Sequence, residues 1–137
     1  MMVGESAAGS LSTVFIAPLV EEPMKAIILI PIAMSRHFDN ATDGFVYGAA
    51  TGLGFAMTEN FLYFMAPALQ GQVGNWFFLV MLRTLYSGVM HAAASSLWGA
   101  VVGAAKFRGW GVKILALVGG YGLAFAMHAL WNGLLVA

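Results

Sequence analysis

The chain is 137 residues long, 61% hydrophobic and only 9% charged, with a formal net charge of zero, whereas roughly a quarter of the residues in ordinary soluble domains are charged. That balance excludes a surface covered by polar groups and leaves nucleic acid or an acidic polymer nothing to recognise. With no cysteine, disulfides and thiolate metal sites are excluded as well. The reading that remains is a single all-α domain over residues 1–137 that lives in a lipid bilayer.

In chain order, the N-terminal MMVGESAAGS lacks a basic segment ahead of its first apolar run, so no cleaved signal peptide is expected. A membrane-crossing helix needs about 20 mostly apolar residues. Four stretches qualify, at about 11–34, 44–65, 76–105 and 110–136. They are joined by RHFDNATD, APALQGQVG and KFRG, all short. The runs are long and continuous rather than alternating with period two, which argues against a β-barrel. The expectation is therefore a polytopic bundle of four transmembrane helices. Arg36, Lys106, Arg108 and Lys113 flank the first and third connections. The excess of basic residues on cytoplasmic loops places those connections inside and both termini outside. Gly44, Gly48 and Gly52 recur every four residues in the second span, a spacing that lets helix backbones approach closely.

The first span contains APLVEEPMKAIILI, with Glu21, Glu22 and Lys25 inside a greasy run. The apolar pieces on either side of the glutamates are each too short to cross alone, so the acidic pair lies at membrane depth. A re-entrant hairpin bent at Pro18 and Pro23 is the alternative. Counting about 1.5 Å per residue from the cytoplasmic ends puts Glu22, Glu59, His91 and His128 roughly 20–27 Å deep. One ionisable group from each span thus reaches a similar layer. Ionisable residues at such depth are costly and mark sites or pathways.

Glu21, Glu22 and Lys25 share one side of their helix, and the ammonium favours an ionised carboxylate, as a general base requires. The alternative is an ion pair that merely neutralises itself. Pro23 removes a backbone donor and is expected to disturb the turn near the glutamates. His91 with Ser95, and His128 with Asn132, pair at i and i+4, and a histidine beside an amide can donate to a developing oxyanion. Asn60 adds a polar group next to Glu59. No Gly-x-Ser-x-Gly elbow, cysteine or His-Glu-x-x-His helix is present. Water is therefore the expected nucleophile.

Taken together, EEPMK (21–25), FAMTEN (55–60), HAAAS (91–95) and HALWN (128–132) resemble the PrsW family of intramembrane proteases, which is similar to the CAAX- and bacteriocin-processing membrane proteases. Phe55-x-x-x-Glu59 has glutamate where the wider group has histidine. The resemblance implies an intramembrane endopeptidase in a prokaryotic plasma membrane, cutting a membrane-anchored protein such as an anti-sigma factor near its extracytoplasmic side. It implies that Glu21 and Glu22 activate water with help from His91, and that His128 and Asn132 stabilise the oxyanion. Lys25, Asn60 and Ser95 are supporting candidates. Such proteins commonly have more spans, so action alone or as a homo-oligomer are both open.

Glu59, His91 and His128 could also supply a carboxylate and two imidazoles to Zn²⁺, with water in the fourth position. A metal-free arrangement polarised by glutamate and histidine is the alternative. The competing function is a proton- or cation-coupled transporter, since buried acids and histidines also build proton relays.

Overall fold

The computed structural model describes residues 7–136; the segment 1–6, where a signal peptide would begin, lies outside them. All the described structure is helical. Helix α1 covers residues 7–34, α2 Ala41–Leu69, α3 Val73–Ala104 and α4 Trp110–Val136. These are the four expected elements, each within a few residues of its expected bounds. By length and composition α3 and α4 are apolar enough to cross a membrane. Helix α1 is continuous through the glutamates, so the hairpin alternative does not hold.

The bundle has its polarity inside out. Ile27, Met57 and Leu115 are 74%, 75% and 71% exposed, while Glu22, Lys25, His91 and His128 are at most 2% exposed. Apolar side chains facing outward around a buried charged cluster suit hydrocarbon, where charged groups turn toward the bundle interior.

Helices α2 and α3 form the tightest pair, and the glycine spacing is its cause. A methyl added to Gly44, Gly48 or Gly52 would overlap the backbone carbonyl of Gly99, Ser95 or His91. Gly103 faces the carbonyl of Asn40 in the same way. In lipid there is no hydrophobic force between helices, so close backbone approach of this kind supplies the association. Helix α4 is keyed onto α3 by Trp98. Its indole N–H donates to the carbonyl of Leu117 at 3.0 Å, and its ring fills the space left open at Gly120.

One end of the bundle is shut. The Lys106 ammonium donates to the carbonyls of Ala33 and Ser35, at 2.6 and 3.0 Å, completing the C-terminus of α1 from the α3–α4 connection. Phe38 is fully buried there and stacks on Tyr47. The first and third connections therefore lie together at this end. The opposite end carries two departures from α geometry, π-helical turns at Ser12–Ile16 in α1 and Arg83–Ser87 in α3. In α1 the cause is Pro18. The N–H of Ala17 bonds the carbonyl of Ser12, and in that register the next donor would be Pro18, which has none. The carbonyl of Thr13 is left free and receives the Asn132 amide at 2.9 Å. The backbone disturbance expected at Pro23 thus falls earlier, at Pro18, while Pro23 and Pro31 are carried inside the helix.

Candidate active site

The four ionisable residues expected at one depth are joined by hydrogen bonds. Lys25 donates to Glu22 Oε1 at 2.6 Å and to His91 Nδ1 at 2.9 Å. An ammonium can only donate, so Nδ1 of His91 is the acceptor and Nε2 carries the proton. That Nε2–H donates to Glu59 Oε2 at 2.9 Å. The other Glu59 oxygen pairs with Arg83 at 2.9 Å. On the far side, Nδ1 of His128 donates to Glu22 Oε1 at 2.7 Å, leaving Nε2 to face Glu21 Oε2 at 3.7 Å. The two imidazoles meet edge to face with centroids 4.8 Å apart. Phe55 closes the cluster, with its ring 5.5 Å from His91 and 4.9 Å from the Lys25 ammonium.

A cleft of about 590 Å³ opens beside this cluster. Glu21, Glu59, Arg83, His91, His128 and Asn132 line it, together with residues of both π turns. Glu22 and Lys25 do not reach it. The adjacent glutamates are thereby sorted: Glu21 is half-buried and meets the cleft, whereas Glu22 is sealed behind it and holds Lys25 and His128. The cluster holds three carboxylates against two basic side chains, Lys25 and Arg83, so with both of these charged and the histidines neutral one negative charge remains. Glu22 is matched to Lys25 and Glu59 to Arg83, which leaves the surplus on Glu21. Its Oε2 is buried and meets no hydrogen-bond donor among the described residues.

The remaining sequence candidates fall into place differently. Asn132 lines the cleft, and one amide hydrogen ties α4 to the Thr13 carbonyl, leaving the second available. Asn60 reaches the cluster only through Arg83, whose Nε donates to Asn60 Oδ1 at 2.8 Å. Ser95 is fully buried against the α2 seam, does not line the cleft, and its hydroxyl makes no hydrogen bond among the described residues. Arg83, which pairs with Glu59 and lines the cleft, is absent from the sequence candidates.

Carboxylates and imidazoles from four helices thus meet beside a cleft inside a bundle whose outer faces are apolar. The chain belongs to the PrsW family of intramembrane metalloproteases, whose family model matches residues 1–137. It is similar to Protease PrsW of Clostridioides difficile (strain 630), 35% identical over 69% of this chain and 38% of that protein. Protease PrsW of Bacillus subtilis (strain 168) is 34% identical over 64% of this chain and 37% of its own length. That of Geobacillus kaustophilus (strain HTA426) is 32% identical over 88% and 50%. The chain thus spans about two-fifths to a half of the curated relatives it matches. No solved structure matches it significantly.

The family description includes a metal, and the residues can be tested against one. Glu21, His91 and His128 each offer a ligand atom, all within 4.8 Å of one another. Zinc at about 2.1 Å from each needs ligand atoms roughly 3.4 Å apart, so closure calls for shifts of about an ångström. The donor set and the orphaned Glu21 oxygen fit such an ion, with His91 exchanging one hydrogen bond for it. The carboxylate whose oxygen lies close to both imidazoles is Glu21, where the sequence pointed to Glu59; the two Glu59 oxygens are paired with Arg83 and His91.

Proposed function

We propose that this chain is the hydrolytic core of an intramembrane endopeptidase, embedded through all four helices in a prokaryotic plasma membrane with both termini extracytoplasmic. Its substrate is a membrane-anchored protein of the anti-sigma-factor type, cut near the extracytoplasmic side. One observation carries this reading. Glu21 Oε2, which meets no hydrogen-bond donor among the described residues, faces His128 Nε2 at 3.7 Å in the wall of the cleft. That gap is too long for a direct hydrogen bond and suits a shared water or cation.

A water there donates to both groups and turns its oxygen toward the cleft. Glu21, carrying the surplus charge, accepts the proton as the water attacks the scissile carbonyl, and can return it to the leaving amine. Glu22 fixes His128 through Nδ1 and so aims Nε2 at the water. The spare Asn132 N–H and the hydroxyls of Ser12 and Thr13 also line the cleft and are donors available to a developing oxyanion. A metal ion held by Glu21, His91 and His128 would add Lewis acidity, polarising the water and the carbonyl.

Glu21→Gln is expected to lower cleavage of a single-span substrate in lipid nanodiscs by about 10²–10⁴-fold with the fold retained. Wild-type turnover by this variant would remove Glu21 as the base. The metal reading expects ~1 zinc per purified chain, lost in His128→Ala. Elemental analysis showing none in active protein would leave the water to the glutamate and histidine alone. The transporter alternative draws no support from the family.

A further inference from the structure

We propose that Arg83 is a positioning residue of this site, fixing the tautomer and orientation of His91 by acting through Glu59. Among the described residues Arg83 pairs with Glu59 and Asn60 rather than with Glu21 or His128, so its influence on the site runs through another group. Its guanidinium is held on three sides. One terminal nitrogen is 2.9 Å from Glu59 Oε1, Nε is 2.8 Å from Asn60 Oδ1, and the plane lies 3.6 Å from the centroid of the Tyr63 ring. Planar fork geometry of this kind orients a carboxylate as well as neutralising it. Glu59 is thereby aimed so that Oε2 receives the Nε2–H of His91.

The consequence is a defined ring. With Nε2 protonated, the lone pair on Nδ1 faces the Lys25 ammonium, and Lys25 in turn bridges to Glu22 and hence to His128. The His91 ring also abuts His128 edge-on. Were His91 to exchange its proton, Nδ1 would no longer accept from Lys25 and Nε2 would no longer donate to Glu59. A carboxylate behind a histidine commonly fixes which nitrogen carries the proton, and here the carboxylate has its own anchor.

Backbone geometry supports the assignment independently. Arg83 and His91 are eight residues apart, which on a regular α-helix sets them about 80° apart around the axis. The π turn begins at Arg83 and ends at Ser87, between the two residues. A π turn takes up roughly one extra residue and unwinds the helix by nearly that angle, so both side chains converge on Glu59. The single departure from α geometry in α3 therefore falls where it brings this arginine onto the face of the histidine.

The kinetic consequence rests on the proteolytic reading; the effect on His91 does not. The test is therefore double: ¹⁵N-histidine spectra of the full chain in detergent micelles, with His91 assigned by its loss in His91→Asn, and cleavage of a single-span reporter that the wild-type chain cuts. Wild type should show His91 as one tautomer protonated at Nε2. In Arg83→Gln the signal should become a tautomer mixture, with kcat down about 10–100-fold and KM changed by less than about twofold. Arg83→Lys keeps the charge but only one arm of the fork, and should fall between the two in both readouts. If the glutamine variant does not fold, the lysine variant carries the test. A His91 spectrum unchanged by either substitution overturns the proposal, as does a loss confined to KM. A wild-type chain that cuts nothing, yet whose His91 spectrum responds to Arg83→Gln, refutes proteolysis and supports the role of Arg83.

Discussion

Glu22→Gln is expected to lower cleavage by at least ~1,000-fold and to cost about 3–5 kcal/mol of stability. One oxygen of Glu22 accepts from both Lys25 and His128, at 2.6 and 2.7 Å, in a fully buried position. Removing its charge leaves the Lys25 ammonium in the bundle interior without its bonded anion, beside neutral acceptors and the Phe55 ring. Breaking one partner of a buried pair is costly because the other stays charged and dry. Cleavage suffers separately, since His128 loses the anion that orients it. The double variant Glu22→Gln/Lys25→Met separates the two effects. Unfolding in detergent should show stability largely restored while cleavage stays absent. If the single variant is as stable and active as wild type, Glu22 is not the organising anion of the cluster.

Gly52→Val should be nearly as severe, for a reason unconnected with charge: a loss of at least ~3 kcal/mol, or no folded protein at all. A methyl at Gly52 meets the carbonyl of His91, which is helix backbone and cannot rotate aside. Helix α2 would have to lift away from α3, carrying Glu59 from His91 and Asn60 from Arg83. The control lies two residues along the same helix. Nothing stands within 4 Å of a methyl added at Gly54, so Gly54→Ala should be neutral or stabilising by up to about 1 kcal/mol, because alanine is the better helix former. Paired denaturation curves decide the matter. Equal damage from Gly52→Val and Gly54→Ala would mean the seam is not what joins these helices.

The same seam was legible from spacing alone, because three glycines at intervals of four can only form one stripe on a helix. The depth layer was legible for a similar reason: span length fixes how far along each helix a residue lies. Rotation about the helix was not fixed by counting. Glu21 and Glu22 are indistinguishable by depth, and only the packing shows that the first meets the cleft while the second is sealed behind it. Arg83 escaped because a regular helical wheel sets it well round from His91, and the intervening π turn, closed by the Gly88 N–H on the Arg83 carbonyl, cannot be read from spacing. Ser95 failed in the opposite sense. Its spacing from His91 is right for a shared face, but that stretch of α3 presses on the glycine stripe of α2. Glu59 read as a metal ligand because its pairing with Arg83 could not be seen.

The shut end of the bundle has a consequence for the membrane as a barrier. A hydrolase in a bilayer must bring water to a buried bond without becoming a leak for ions. The cleft is walled by the outer turns of the helices, where the π turns lie. At the other end Phe38 is fully buried, and Lys106 staples the third connection to the first. Water can therefore enter and return by the same door. A permeation pathway needs two doors, and in the proposed membrane setting this plug of one aromatic ring and one lysine would keep the second one closed.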